Sequence, residues 1–197
     1  MNTQDSTANE LDFDPEALRE KYRFERYKRL RSDGNAQYLE MSGEFDHYTY
    51  APFVVHAIKR EPLKDEVEIV IIGGGFGGLI SGSRFRELGY ESIRIIERGG
   101  DFGGTWYWNR YPGAACDTEA YIYLPLLEEV GYVPTQKYAH APEILAHSRN
   151  IAEKFDLYRD VCFQTEVTGL EWLDNEQKWL IRTNHDDEMK AAFVVMS

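Results

Sequence analysis

The feature that most restricts how this chain can fold is a β-branched run that empties into glycines. Val67-Glu68-Ile69-Val70-Ile71-Ile72 leads directly into Gly73-Gly74-Gly75-Phe76-Gly77-Gly78. A short apolar run bounded by glycine reads as a parallel strand buried on both faces. The glycines carry G-x-G-x-x-G spacing at Gly73, Gly75 and Gly78. Each has a task in such a turn: Gly73 permits the tight bend out of the strand, and a side chain at Gly75 would collide with a pyrophosphate. Gly78 lets the next helix sit close to the sheet, and Gly82 extends that contact. Phe76 and Gly77 stand inside the same cradle. The helix opening there is predicted to run to Leu88 and close at Gly89. Its first turn offers unpaired N–H groups and a partial positive charge to phosphate.

A glycine-rich turn alone is common, and its context supplies the specificity. A second strand is predicted over Ser92–Ile96, ending at Glu97, 19 residues beyond Gly78. A carboxylate at that place accepts hydrogen bonds from both hydroxyls of a ribose and repels a 2′-phosphate. The adenosine half of FAD or NAD therefore fits better there than that of NADP. The pattern strand, glycine turn, helix, strand, acid defines an α/β, Rossmann-like domain.

Around this centre, the 197 residues, 43% hydrophobic and 28% charged, are those of a soluble globular chain. The longest stretch free of charged residues, Ile69–Ser83, has 15 residues, six of them glycine, too short and too glycine-rich for a membrane span. The start of the chain lacks a secretory pattern. Two cysteines, Cys116 and Cys162, have no metal-ligand spacing, so neither a disulfide scaffold nor a zinc site is expected, and the cytoplasm is the default compartment. A net charge of −12 argues against nucleic acid as a partner.

Residues 1–13 are polar and expected to begin in disorder. Asp14-Pro15-Glu16 forms a helix start, with the helix predicted to reach about Arg31. Residues 16–31 hold seven Lys/Arg against three Glu, and the preferred reading is a solvated face packed against an acidic body. Residues 35–65, aromatic-rich and irregular, read as a segment wrapped over the main domain. The expected division is therefore an extension over 1–65 and a cofactor domain over 66–197, incomplete at its C-terminal end. A helix is predicted from Pro142 to about Leu157, with Ile144, Ile151 and Phe155 on one stripe. Strands are predicted over Val161–Leu173, Lys178–Thr183 and Met189–Met196, closing the chain as a β-meander. His140 and His147 are assigned as surface or helix-end residues, and Cys162 as strand core. His47, His56 and His185 have no convergent partners in the sequence.

Between the second strand and the later helix lies Asp101-Phe102-Gly103-Gly104-Thr105-Trp106-Tyr107-Trp108-Asn109-Arg110-Tyr111-Pro112-Gly113-Ala114-Ala115-Cys116-Asp117. Glycines for close backbone approach precede flat aromatic surfaces, then an arginine and a carboxylate. So many aromatics could form a core patch, but the flanking Gly-Gly and Pro-Gly make a plate for a flat heterocycle the more natural reading.

This stretch resembles the Gly-Gly-Thr-Trp-Tyr-Trp-Asn-Arg-Tyr-Pro-Gly-Ala segment of Baeyer–Villiger monooxygenases. The likeness extends from the first glycine turn through Thr118-Glu119 to Tyr123, and again over Tyr138–Leu157. The resemblance implies FAD as cofactor, NADPH as co-substrate, O2 and a ketone as reactants, and an ester or lactone as product. It also implies that Gly73, Gly75 and Gly78 hold the FAD pyrophosphate and Glu97 its ribose. Gly104, Thr105, Trp106 and Trp108 would line the flavin side, Tyr123 would contact FAD, and the Val167 backbone would meet adenine. Ala115, Cys116 and Asp117 would border the nicotinamide; many relatives carry arginine at the position of Ala115. Asp117 is the one residue given a direct catalytic role, orienting an arginine supplied later in the chain. Without the neighbouring motif it would read as a turn former. A second G-x-G-x-x-G for NADPH does not appear, so the expectation is the FAD-binding portion of a longer enzyme. Alternatives are a stand-alone FAD-binding module without activity and a related N- or S-oxidising flavin monooxygenase.

Overall fold

The computed structural model describes residues 12–39, 41–51 and 53–197. The expectation of disorder over residues 1–13 falls almost wholly outside them. The chain divides into two compact units, Met1–Thr49 and Tyr50–Ser197.

In the first unit, helix α1 spans Pro15–Arg29, two residues short of the predicted end. Asp14 caps it as the sequence requires, its Oδ1 accepting from the N–H groups of Glu16 (2.9 Å) and Ala17 (3.3 Å). Glu16 stands in the first turn and Arg26, Lys28 and Arg29 in the last, each complementing the helix dipole. No residue of α1 is buried. Two 3₁₀ turns follow, Gly34–Gln37 and Gly43–Tyr48.

The second unit is a six-stranded sheet flanked by helices. Its elements are β1 (Glu66–Ile72), α2 (Phe76–Glu87), β2 (Ile93–Ile96), the short helices α3 (Thr105–Trp108), α4 (Ala120–Tyr123) and α5 (Leu127–Val130), and α6 (Ala141–Lys154). The last four strands are β3 (Val161–Cys162), β4 (Val167–Leu173), β5 (Lys178–Thr183) and β6 (Glu188–Met196). The sheet order is β3-β2-β1-β6-β5-β4. The first four are parallel, with Ile71 beside Ile95 on β2 and beside Val195 on β6, and Ile95 beside Val161 on β3. β4, β5 and β6 form the antiparallel meander.

Side chains alternate across β1 and β2. Ile69, Ile71, Ile93 and Ile95 share a core with Leu79 of α2 and Ile151 and Ala152 of α6. Val70 and Ile96, pointing the other way, pack with Ile181, Met189 and Ala191 from the meander. Both faces of the parallel strands are thus buried, which is why β1 reads as a nearly continuous apolar run. A third core gathers Trp106, Tyr107, Cys116 and Leu124 against Ala141, Ile144 and Leu145 of α6.

α6 ends at Lys154, short of the predicted Leu157, which instead opens a 3₁₀ turn over Leu157–Asp160, and two further details differ from the sequence reading. The strand predicted over Val161–Leu173 is two strands separated at Phe163–Glu166, where Gln164 takes a left-handed φ of +52°. His147 is not a surface residue: it is 1% exposed, its Nε2–H donating to the Pro125 carbonyl at 2.6 Å. It points inward because Glu143 and His147, one turn apart on α6, both face the loop that Tyr132 anchors. Among the described residues no helix is long and apolar enough to cross a membrane.

Candidate dinucleotide-binding site

β1 delivers the chain to the glycine turn at the edge of the core. Gly73 takes φ +107°, a conformation that L side chains rarely adopt. A Cβ at Gly78 would lie 1.9 Å from the Gly73 carbonyl oxygen, so the first turn of α2 closes only with glycine there. Gly75, the N-cap of α2, is different. A Cβ on it would meet only the Gly104 Cα, at 3.5 Å, which is ordinary contact. Nothing in the fold demands glycine at that position, and a side chain would project into the space in front of the helix.

That space is a cleft of about 310 Å³ lined by Gly73, Gly75, Phe76, Gly77 and Glu97 on one side and Gly103, Gly104, Thr105, Trp106 and Tyr123 on the other, with Ser197 at its end. The two glycine segments are tied together, Gly103 N–H donating to the Gly74 carbonyl at 2.9 Å. The aromatic side chains of the wall are joined to one another. Trp106 Nε1–H donates to the Tyr123 hydroxyl at 3.0 Å, and the Phe76 and Tyr123 rings stand 5.4 Å apart.

Glu97 lies at the end of β2 and is only 7% exposed. One carboxylate oxygen accepts the Gly74 N–H at 2.6 Å and the other accepts the Gly99 N–H. The acid is therefore oriented by the backbone on both sides while still bordering the cleft. Each oxygen keeps a lone pair for a further donor.

The remaining predicted residues stand elsewhere. Trp108 is outside the cleft lining; its ring packs edge-on against Tyr107 and beneath the Arg98 guanidinium. Val167 opens β4 opposite Thr183 and packs in the meander core. Ala115, Cys116 and Asp117 line a separate shallow groove with Tyr138. Cys116 is fixed there by its N–H to the Ala139 carbonyl at 3.0 Å. The Asp117 carboxylate is exposed and without a partner among the described residues. Gly103 and Ser197 were not singled out as site residues in the sequence. Gly103, with φ +132°, had a signal in its pairing with Gly104.

Residues 71–131 match the model of the NAD(P)-binding Rossmann-like domain. Over 191 residues, 95% of its length, the chain is 49% identical to a protein of Streptomyces coelicolor named "Baeyer-Villiger monooxygenase" and covers 32% of it. Over that shared stretch the chain is similar to a Baeyer–Villiger monooxygenase. Neopentalenolactone D synthase of Streptomyces avermitilis is likewise 49% identical, over 93% of this chain and 31% of its own length. Among solved structures, the polycyclic ketone monooxygenase of Thermothelomyces thermophila superposes with a TM-score of 0.84 at 32% identity, covering 92% of this chain and 32% of that one. A steroid monooxygenase bound to NADP matches 67% of this chain and 26% of its own, at 40% identity and a TM-score of 0.61. The chain thus spans about a third of the length of the Baeyer–Villiger monooxygenases it matches.

Proposed function

We propose that this chain is the FAD-binding portion of an NADPH- and O2-dependent, cytoplasmic Baeyer–Villiger monooxygenase that converts a ketone into an ester or lactone. One observation carries the reading above others. Glu97 and the glycine turn border one cleft with the Gly103–Trp106 segment, so the groups suited to ribose, pyrophosphate and a flat ring system converge. The fit to FAD is tested at Gly75, where the fold leaves room that only a ligand's close approach would require.

The chain's own residues then have definite tasks. The N–H groups at the start of α2 and the turn before it face the pyrophosphate, with the helix dipole favouring its charge. Glu97 takes the ribose hydroxyls. Gly104, Thr105, Trp106 and Tyr123 form the wall for the rest of the cofactor, and Trp108 supports that wall through Tyr107. When bound, FAD reduced by NADPH supplies the oxygen-activating chemistry. Asp117, exposed and uncommitted, is the group that orients an arginine from elsewhere in the enzyme, while Ala115 and Cys116 shape the groove for the nicotinamide. Residues 66–197 are the cofactor domain in this reading and 1–65 its extension, of which residues 50–65 share the compact unit of the sheet.

The test is expression of the intact gene product with ample riboflavin, followed by assay of bound flavin and ketone-dependent NADPH oxidation. Yellow protein that forms ester is the expected result. Colourless protein indifferent to added FAD overturns the proposal. Flavin without turnover, or turnover only with amines or sulfides, assigns the chain to one of the other readings.

A further inference from the structure

Residues 56–63 form a strap tied by side-chain hydrogen bonds to Gln164 and Thr165, just after β3, and to Asp187 in the β5–β6 turn. Arg60 forms a two-pronged ion pair with Asp187, both contacts at 2.6 Å, and Asp187 is 1% exposed. The same carboxylate accepts the Leu63 N–H at 2.7 Å and the Thr183 hydroxyl at 2.6 Å. The second anchor is Gln164. Its side-chain carbonyl accepts the Ile58 N–H at 3.1 Å, and its own carbonyl accepts from His185 Nε2 at 2.9 Å. Its backbone N–H donates to the Gly99 carbonyl at 2.9 Å.

Gly99 is the residue whose N–H meets the Glu97 carboxylate. One peptide unit beyond that N–H, the Gly99 carbonyl is held by Gln164, while the neighbouring Thr165 N–H holds the Glu97 carbonyl at 3.0 Å. Gln164 does this with φ +52°, a conformation a residue with a Cβ keeps only when its surroundings impose it. The strap on one side and the β5–β6 turn on the other are those surroundings.

We propose that Gln164 is a positioning residue for nucleotide recognition: clamped by the strap and by the β5–β6 turn, it sets Gly99 and so the Glu97 carboxylate toward the adenosine ribose. The inference rests on the reading of Glu97 as the ribose acceptor. It predicts that loosening the clamp damages discrimination of the ribose hydroxyls more than it damages the domain.

The experiment compares FAD with its 2′-deoxyadenosine analogue, measuring dissociation constants for the intact apoprotein. Three variants are used: Gln164→Gly, which keeps the left-handed backbone at no steric cost, Asp187→Asn and Glu97→Gln. Wild type should prefer FAD by about tenfold, the value of one well-made hydrogen bond to a charged group. Gln164→Gly and Asp187→Asn should compress that ratio toward one chiefly by weakening FAD. Equal weakening of both ligands, with the ratio kept, would make Gln164 a merely structural residue and overturn the positioning role while leaving Glu97 as ribose acceptor. A wild-type ratio of one would overturn the ribose assignment itself, and the positioning role with it.

Discussion

Gly74 donates its backbone N–H to the Glu97 carboxylate at 2.6 Å, joining the glycine turn to the acid 23 residues later. The glycine turn and the acid proposed for phosphate and ribose are thus one hydrogen-bonded unit. This has a direct consequence for mutagenesis. Glu97→Ala leaves the buried N–H groups of Gly74 and Gly99 without acceptors, each at a cost of about 1–3 kcal/mol. Glu97→Ala should therefore lower the melting temperature and the flavin content together. Glu97→Gln keeps only one acceptor oxygen, so one of the two N–H groups still loses its partner and faces an NH2 donor; it should recover only part of the stability and still weaken FAD. Thermal melts alongside flavin absorbance separate the two effects. Unchanged flavin content in Glu97→Gln would remove the ribose assignment.

Gly75 and Gly78, three residues apart, should respond in opposite ways to alanine. At Gly78 the methyl would be driven to 1.9 Å from a carbonyl oxygen, and the turn must open at a cost of about 3 kcal/mol. At Gly75 the methyl meets only ordinary contact, so stability should change by less than about 0.5 kcal/mol. Flavin binding should nevertheless be lost in Gly75→Ala. Denaturant titration and flavin content measured on the same preparations check both halves.

His147 is held neutral by burial, which pulls its pKa below the ordinary 6.5; the bond to the Pro125 carbonyl opposes this without overcoming it. The unfolded state therefore binds the proton more readily than the folded one. Stability due to this residue is complete above about pH 6.5 and is lost as pH falls below it. Melting temperatures at pH 7.5 and pH 5.5 should differ more in wild type than in His147→Gln. Parallel curves for the two proteins would dismiss the effect.

Asp117→Ala should leave both fold and flavin content intact, because the carboxylate is exposed and makes no bond among the described residues. In the intact enzyme, ketone oxygenation should fall by on the order of 100-fold through loss of orientation. Product formation per bound flavin is the measurement, and full activity would take Asp117 out of the mechanism.

The centre of the fold was legible because its signals are local. β1, the glycine turn, α2 and β2 each obey a short-range rule, and β5 appears at the predicted bounds Lys178–Thr183. The clustering of Gly104, Thr105, Trp106 and Tyr123 beside the turn followed from the family resemblance, not from spacing. What the residues could not show was set by contacts distant in sequence. Gln164 breaks the predicted long strand because its partners are Ile58, Gly99 and His185. His147 reads as a helix-surface residue until Pro125 is brought against it, and Leu126 adopts a left-handed φ of +58° in that same turn. Trp108 belongs to the same aromatic run as Trp106, yet a tight helical turn sends the two rings to different places.

β6 serves two masters: residues 188–191 pair with β5, and residues 190–196 lie alongside β1. A strand shared in this way welds the meander to the half of the sheet that carries the glycine turn, so neither can melt alone. Amides throughout β6 should then exchange with deuterium only when the whole unit opens, and damage to the distant β4–β5 hairpin would be felt as a weaker hold on the nucleotide.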